Sequence, residues 1–278
     1  MNLRCASVLI TGCSSGVGRA SALAFRRVGA TVFASARRPE SLAELVELGI
    51  RPLRLDVRDE AQVVTAVDAA GSIDVLVANA GCGVRGAIEE VADRDLGEVF
   101  DTNVFGVWRC CRAVLPQMRR RGSGTIIVVS SYGGQVPFPG LGAYRSSKFA
   151  LEGLVWTLHL EVAHFGIRVV DIQPGSVATD FRTRSVKQGS RSLDGDPYGG
   201  MRTIATEAYR RMSPSAVSAE HVAAVIVDEA RRDRGPLRVR IGEDAKRMTT
   251  VVQAGDEQYE RFLVGTLGFR WHPLPADT

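Results

Sequence analysis

The sequence has few lysines and no long hydrophobic run. Of its 35 Lys and Arg residues only Lys148, Lys187 and Lys246 are lysines, so the formal net charge of +4 reflects arginine. No stretch reaches the ~18 apolar residues needed to cross a membrane. Polar residues such as Asn2 and Arg4 also interrupt the N-terminus before any signal-like apolar run. We therefore expect no membrane span and a cytoplasmic protein.

The cysteines lack the spacing of a disulfide framework or of a metal site. They are Cys5, Cys13, Cys82, Cys110 and Cys111. An odd number without paired spacing indicates reduced thiols, as in the cytoplasm. We expect no bound metal.

Aromatic residues are absent from the densest basic cluster, the three arginines at 119–121. A nucleic-acid surface would typically interleave basic residues with stacking aromatics. The cluster lies where a helix should end, so its charge is expected to compensate the helix dipole. We expect no nucleic-acid partner.

The first half of the chain alternates short apolar segments with helical ones. With 45% hydrophobic and 24% charged residues, the chain can bury a full core. Strand patterns occupy 8–11, 31–36, 50–55, 73–78, 125–130, 167–172 and 237–241. Helical patterns occupy 16–28, 39–48, 60–69, 93–121, 143–165 and 217–231. Apolar strands separated by helices predict an α/β fold: a single doubly wound (Rossmann-type) parallel sheet with helices on both faces, formed by residues 1–278 as one domain.

A glycine-rich loop follows the first predicted strand. Its glycines are spaced G-x-x-x-G-x-G, and no Lys-Ser/Thr follows them, so a nucleotide-hydrolysing P-loop is not indicated. Glycines let a backbone approach a ligand, and the N-terminus of a helix favours an anion. The loop is therefore a candidate dinucleotide site, with a tight turn as the alternative. Its candidate residues are Gly12, Ser14, Ser15, Gly16, Val17 and Gly18.

The end of the second predicted strand bears on which dinucleotide binds. NAD-binding proteins place a carboxylate about 20 residues past the loop, whereas an arginine there accommodates the 2′-phosphate of NADP. Here Arg37 and Arg38 follow the strand, and no acid appears before Glu40. We predict NADP(H), with Arg37 pairing the phosphate and Ser14 donating a hydrogen bond from the loop. Arg38 either joins Arg37 or lies in solvent before Pro39.

Tyr144 and Lys148 lie four residues apart in a segment predicted to be helical. Their side chains should leave the same helix face, one turn apart. An ammonium close to a phenol favours the phenolate, so Lys148 is expected to lower the pKa of Tyr144 and make it a better proton donor. The alternative is an ordinary, partly exposed helix face.

In combination, these motifs resemble the short-chain dehydrogenase/reductase family. The resemblance also includes Asn79-Ala80-Gly81, Asn103, Ser131 thirteen residues before Tyr144, and Pro174-Gly175, and it covers about residues 7–179. Within the family, the stretches TGCSSG, LDVRDE, RRGSG and SSKFALEGL are most similar to the 17β-hydroxysteroid and retinol dehydrogenase branch.

The resemblance implies hydride transfer between a nicotinamide and a carbonyl. Tyr144 would donate the proton, Ser131 would hold the same oxygen, and Lys148 would also bind the nicotinamide ribose. Asn103 would help to hold a water that connects Lys148 to solvent. Ser130 is an alternative to Ser131, although only Ser131 has the family's spacing to Tyr144.

The resemblance also assigns further cofactor contacts. Asp56 and Val57 would meet the adenine, Asn79, Ala80 and Gly81 would lie along the adenosine ribose and the loop floor, and the nicotinamide would be lined by Pro174, Gly175, Val177 and Thr179. Each has a plainer explanation. Asn79 could cap a turn, Asp56 could cap the next helix, and Pro-Gly is a common loop pair.

Substrate identity is expected to depend on residues 180–214, predicted to form a helical lid. The substrate-facing candidates are Val84, Tyr132, Phe138, Phe181 and Tyr198. Met201, Ile204 and Tyr209 could extend an apolar face over the substrate, or could pack on the domain itself. An apolar mouth favours a bulky steroid, retinoid, fatty or polyketide carbonyl over a sugar. Residues 243–278 form a variable C-terminal segment, including a tail around Trp271 to Pro275.

Two functions remain open at this point. The first is an NADP(H)-dependent oxidoreductase acting on a ketone or secondary alcohol; the second is a cofactor-binding regulator or partner protein without turnover. The resemblance further implies a homodimer or homotetramer, formed by the helices near 103–121 and 143–165. Val104, Phe105, Trp108, Val114 and Leu115 would supply its apolar area or would cover the sheet instead.

Overall fold

Seven parallel strands form the central sheet of the computed structural model, which describes residues 1–212, 216–265 and 268–269. The strands are β1 Ser7–Ile10, β2 Thr31–Ala36, β3 Arg51–Arg54, β4 Val75–Ala78, β5 Gly124–Val129, β6 Ile167–Pro174 and β7 Arg238–Ile241. Their order is β7-β6-β5-β4-β1-β2-β3. From β1 the strand order extends through β2 to β3 on one side of the sheet, and from β4 through β5 and β6 to β7 on the other. The crevice at such a switch point, here between β1 and β4, is where α/β sheets bind ligands. The predicted doubly wound sheet is confirmed.

Helices cover both faces of this sheet. They are α1 Gly16–Arg27, α2 Ala43–Glu47, α3 Glu60–Ala70, α4 Asp93–Phe100, α5 Gly106–Arg121, α6 Gly142–Val162, α7 Gly199–Met212, α8 Ala219–Arg231, α9 Glu243–Gln253 and α10 Asp256–Gly265. In the described part of the chain, none of these helices has the length and apolarity to cross a membrane.

Alternation along the strands divides the core into two layers. Val8 and Ile10 of β1 belong to one apolar cluster, whereas Leu9 between them belongs to the other. Successive side chains of a strand point to opposite faces, which is why a strand buried on both sides reads as a continuous apolar run. Phe25 of α1 packs in the first layer and Leu151 of α6 in the second.

A third apolar cluster lies beyond the sheet. Tyr132 and Phe138 pack there with residues of α7, α9 and α10. Met201, Ile204 and Tyr209 also pack against this cluster, so these three residues attach the lid helix to the rest of the protein. The tail around Trp271 to Pro275, and Pro214 at the end of the expected lid, lie outside the described residues.

Two pairs of very short strands brace the segments around the carboxyl edge of the sheet. Gly83–Arg85 pairs with Val186–Gln188, and Val177–Ala178 pairs with Val217–Ser218. A π-helical turn, Asp101–Phe105, joins α4 to α5. The pair of Gly83–Arg85 with Val186–Gln188 joins the lid to the loop that follows β4.

Candidate active site

A cleft of about 490 Å³ opens at the carboxyl edge of the sheet. It runs from the glycine loop to the lid helix α7. The predicted cofactor residues line it except Gly18 and Arg38; those present are Gly12, Ser14, Ser15, Gly16, Val17, Arg37, Asp56, Val57, Asn79, Ala80, Gly81, Tyr144, Lys148, Pro174, Gly175, Val177 and Thr179. The crevice predicted by the strand order therefore coincides with the residues predicted by the motifs.

The glycine loop suits the approach of a phosphate. Gly12 and Gly16 adopt φ angles of +74° and +56°, which side-chain-bearing residues rarely adopt. Ser15, the residue before α1, makes no side-chain capping bond, and the first turn of α1 has no acidic residue. The first amides of α1 are thus left available, and a dinucleotide pyrophosphate fits such an end. Gly18 serves packing instead, since a Cβ there would lie 2.3 Å from the Gly12 carbonyl oxygen.

Asn79 anchors the loop to the end of β4. Its side-chain amide donates to the carbonyl oxygens of Thr11 at 2.9 Å and Gly12 at 3.2 Å. In return, the Thr11 hydroxyl accepts from the backbone amides of Asn79 and Ala80 at 2.9 and 3.0 Å. The amide side chain is therefore used to fix the floor of the loop.

Asp56 is held by an arginine that the motifs did not indicate. Arg58 forms a bidentate ion pair with Asp56, in which Nη2 donates to Oδ2 at 2.7 Å and Nε donates to Oδ1 at 3.0 Å. These hydrogen bonds hold the pKa of Asp56 below its ordinary value. The cap of the next helix is Asp59, which accepts from the Gln62 amide at 3.1 Å, so the alternative that Asp56 caps α3 is wrong.

Arg37 and Arg38 differ in their relation to the cleft. Both are exposed, but Arg37 lines the cleft and Arg38 does not. The Arg38 backbone carbonyl instead accepts from the amide and the hydroxyl of Ser41. Of the two arginines, only Arg37 is placed to meet a phosphate in the cleft.

Tyr144, Lys148 and Ser131 meet near the middle of the cleft. Tyr144 and Lys148 are one turn apart on α6, and the Lys148 ammonium lies 5.9 Å from the centre of the tyrosine ring. Lys148 is buried and donates to the carbonyl oxygen of Val129 at 3.2 Å. Ser131 lines the same part of the cleft, and its hydroxyl acts on the Tyr144 phenol to lower the pKa of that phenol. The arrangement brings two hydroxyl groups and an ammonium to the same part of the cleft.

Ser131 rather than Ser130 is free to act in this group. The Ser131 hydroxyl oxygen accepts from the Gly133 amide at 3.0 Å, which leaves its hydrogen for another partner. Ser130 donates to the Glu152 carboxylate at 3.0 Å. The structure thus favours the serine with the family's spacing.

Burial dominates the proton affinities of Tyr144 and Lys148. Tyr144 keeps partial exposure through the cleft, yet burial of its hydroxyl raises its pKa to about 12; the charge of Arg145 and the Ser131 hydroxyl oppose this. Burial also lowers the pKa of Lys148 to about 8, against the pull of Asp171. The expectation that Lys148 brings the Tyr144 pKa below its ordinary value is therefore wrong for the protein alone, because desolvation is the largest influence on the phenol.

Asn103 is buried behind the cleft and does not line it. Its side-chain oxygen accepts from the Cys82 amide at 2.9 Å, and its Nδ2 donates to the Cys82 carbonyl at 2.9 Å and to the Ser147 hydroxyl at 3.0 Å. Both amide hydrogens are thus used within the protein. Asn103 links the chain after β4 to α6, one residue before Lys148.

At the far end of the cleft, Val84, Tyr132, Phe138 and Phe181 are present as predicted. Tyr198 does not line the cleft; its hydroxyl donates instead to the Glu89 carboxylate at 2.7 Å, so the prediction that it faces the substrate is not supported. Motif reasoning missed the basic residues of this end, which are Arg85, Arg145, Arg182, Arg184, Lys187 and Arg202. No sequence signal separates them from the many other arginines.

The sequence and the fold both have close counterparts among known proteins. Residues 6–189 match the family model of short chain dehydrogenase. The oxidoreductase BOA17 of Botryotinia fuckeliana is 36% identical over 263 residues, which cover 90% of this chain and 95% of that protein. Human 17-beta-hydroxysteroid dehydrogenase type 1 is 37% identical over 201 residues, 67% of this chain and 61% of that protein. A short-chain dehydrogenase structure from Streptomyces avermitilis has a TM-score of 0.81 and 36% identity, covering 96% of this chain and 100% of that chain.

A doubly wound sheet whose crevice joins a glycine loop to a Ser-Tyr-Lys group defines a dinucleotide-dependent oxidoreductase. The chain belongs to the short-chain dehydrogenase family, as its motifs indicated.

Two solved structures with this fold contain different nicotinamide cofactors. One from Burkholderia cenocepacia binds NADP (22% identity, TM-score 0.77, covering 97% of this chain and 100% of that chain). One from Burkholderia phymatum binds NAD (24% identity, TM-score 0.78, covering 91% and 95%). At these identities the likeness shows the fold alone.

Proposed function

We propose that the protein is an NADP(H)-dependent oxidoreductase that reduces a ketone, or oxidises the matching secondary alcohol, of a bulky and largely apolar substrate such as a steroid, retinoid or polyketide. The observation that carries this proposal is that Ser131, Tyr144 and Lys148 line one cleft that is continuous with the glycine loop. The chain would act as one domain, with residues 180–214 closing over the substrate.

Each residue of this site has a separate role in carbonyl reduction. A bound nicotinamide dinucleotide supplies the hydride. Tyr144, held protonated by its surroundings, donates its proton to the carbonyl oxygen, and the Ser131 hydroxyl donates a second hydrogen bond to the same oxygen. Lys148 uses one donor on Val129 and can offer the others to the cofactor ribose.

NADP(H) is proposed over NAD on the basis of Arg37. Its guanidinium lies at the edge of the cleft, and within the described residues it makes no ion pair. No acidic side chain follows β2 where a ribose hydroxyl would need one. An unpaired arginine at this position fits a 2′-phosphate.

The apolar substrate is proposed from the lining around Tyr144. Val84 and Phe181 present apolar surface there, and the Phe181 ring lies 6.1 Å from the Tyr144 ring. The similarity to a 17-beta-hydroxysteroid dehydrogenase agrees with a substrate of this size. Apolar walls with a few convergent polar groups are typical of such sites.

Tyr144→Phe tests the proposed reaction. With a panel of hydrophobic ketones, the wild-type protein should consume NADPH, followed by its absorbance, and the variant should lose about 10²- to 10⁴-fold in kcat while still binding NADPH. Tyr198→Phe is the matched control, because it removes a phenol hydroxyl that lies outside the cleft. NADPH binding without turnover of any ketone would instead favour a cofactor-binding protein that catalyses nothing.

A further inference from the structure

Two arginines lie on the substrate side of Tyr144. Arg85 ends the short strand Gly83–Arg85, and Arg182 lies in the turn Phe181–Ser185; both line the cleft. The two segments are close to each other, because the strand pairs with the residues that directly follow the turn. The guanidinium groups therefore approach the cleft from two adjacent walls.

Both walls also contact the Tyr144 ring. A Cβ added to Gly83 would lie 3.2 Å from a ring carbon of Tyr144, and the Phe181 ring is 6.1 Å from the same ring. Arg85 is two residues from the first contact and Arg182 one residue from the second. A substrate whose carbonyl reached Tyr144 would therefore pass close to both arginines.

These two arginines lack the carboxylates that their neighbours have. Lys187 pairs with Glu98 at 2.7 Å, Arg184 with Asp180 at 3.8 Å, and Arg202 with Glu90 and Asp196. Over the described ranges, neither Arg85 nor Arg182 makes an ion pair. The Arg182 guanidinium instead lies over the Tyr209 ring, 4.3 Å from its centre.

The unpaired charge at Arg85 is costly. An exposed arginine such as Arg182 needs no partner, but Arg85 is half-buried. Burial, and then the charge of Arg182, hold the pKa of Arg85 below its ordinary value. A half-buried cation beside a second cation gains energy from any anion that binds between them.

Arg145 adds a third positive charge to this end of the cleft. It is 4% exposed and donates to the Tyr132 hydroxyl at 3.1 Å, and its buried Nε and Nη1 atoms have no hydrogen-bond partner among the residues that the structure describes. The charges that act on it most strongly are those of the phenols of Tyr132, Tyr144 and Tyr209, and among the described residues it makes no ion pair. The lid end of the cleft thus holds three arginines that make no ion pair within the described residues.

We propose that the substrate of this enzyme carries a carboxylate in addition to its ketone, and that Arg85 and Arg182 bind that carboxylate beyond Tyr144. The planar guanidinium matches a carboxylate with paired hydrogen bonds. The apolar side chains of Val84 and Phe181 line the same cleft, so the substrate is a keto acid with an apolar body. This inference rests on the proposed function, because it concerns the substrate of the same site.

The test compares each ketone as its free carboxylic acid and as its methyl ester, at pH 7.5 with NADPH. The wild-type protein should show kcat/KM about 10- to 100-fold higher for the acid. Arg85→Gln and Arg182→Gln should each reduce this ratio, and the double variant should bring it close to one. Arg182→Lys should restore part of it. Arg191→Gln is the matched control, since it removes an equal charge from an exposed residue outside the cleft, and should keep the wild-type ratio.

Three results of this comparison would overturn the inference. These are equal use of acid and ester by the wild-type protein, an undiminished ratio in the double variant, and loss of NADPH affinity in the variants with the ratio intact, which would assign both arginines to the cofactor. A calorimetric arm separates this inference from the reaction itself. The ligand is the carboxylic acid that has the same apolar body but no ketone, titrated with NADP present. It should bind the wild-type protein at least tenfold more tightly than the double variant, whether or not any ketone is reduced. Equal binding would overturn the inference.

Discussion

Two single side chains of the site are shifted toward their neutral forms by the same cause. Burial raises the pKa of Tyr144 to about 12 and lowers that of Lys148 to about 8. Desolvation disfavours the charged form of either group, so it acts in opposite directions on an acid and on a base. The phenol is thereby kept as a proton donor, while the lysine exchanges its proton near neutral pH.

Lys148→Met should show by how much the buried ammonium lowers the free energy of unfolding. Since the folded protein binds fewer protons than the unfolded chain between pH 8 and 10.5, the free energy of unfolding should rise with pH across that window in the wild type but not in the variant. Below pH 8 the variant should be more stable by up to about 3 kcal/mol. Urea unfolding at pH 6 and pH 10 measures both effects.

Lys246→Met is the matched control for this measurement. Lys246 is exposed and pairs with Glu243 at 2.9 Å, so its loss should change stability by less than about 1 kcal/mol at either pH. A Lys148→Met variant that is less stable than the wild type at pH 6 would contradict the argument. It would mean that attraction to Asp171 outweighs desolvation.

Arg37→Asp tests the cofactor assignment at a single position. The aspartate would repel a 2′-phosphate and could accept a hydrogen bond from a 2′-hydroxyl, so NADP should bind at least about tenfold more weakly while NAD binding is kept or improved. Fluorescence titration with both reduced cofactors measures this directly. Arg38→Asp, at the neighbouring position outside the cleft, is the control. Equal losses for both cofactors in Arg37→Asp would mean that Arg37 is structural.

Among the elements, those with continuous apolar or helical patterns were predictable. The strands of the main sheet are buried on both faces, so they show in the sequence as apolar runs, and the long helix α6 shows its spacing over 21 residues. The strands Gly83–Arg85 and Val186–Gln188 have three residues each, too few to show any period. They form because the lid and the loop after β4 meet, which is a tertiary effect.

The same distinction applies to the residues of the site. The shared helix face of Tyr144 and Lys148 was predictable from their spacing, whereas Ser131 was indicated only by the resemblance to the family. Tyr198 was misplaced, since its position depends on how the lid packs, and the lid has no repeating pattern. The roles of Arg85 and Arg182 emerge only when paired and unpaired arginines are compared in space.

At the scale of the whole molecule, an apolar surface remains uncovered on helices that pack on one face of the sheet. Phe105, beside α5, and Trp108 on α5 are 53% and 55% exposed, and Trp156 and Leu160 of α6 are 54% and 67% exposed. Val104, Val114 and Leu115 instead turn inward, the last two against the core. Exposed aromatics on adjacent surface helices are typical of protein interfaces, so we propose that this surface joins copies of the chain.

Trp108→Glu combined with Trp156→Glu tests this assembly. Buried carboxylates would be unpaired at such an interface, so the double variant should elute as a chain of 30.0 kDa, whereas the wild type should show a multiple of that mass by light scattering. Val64→Glu, which places the same charge on an exposed apolar position of α3, should leave the mass unchanged. A wild type of 30.0 kDa would contradict the proposal. Because neither Trp108 nor Trp156 lines the described cleft, the separated chains should keep their NADPH oxidation per chain; a loss would mean that assembly shapes the cleft.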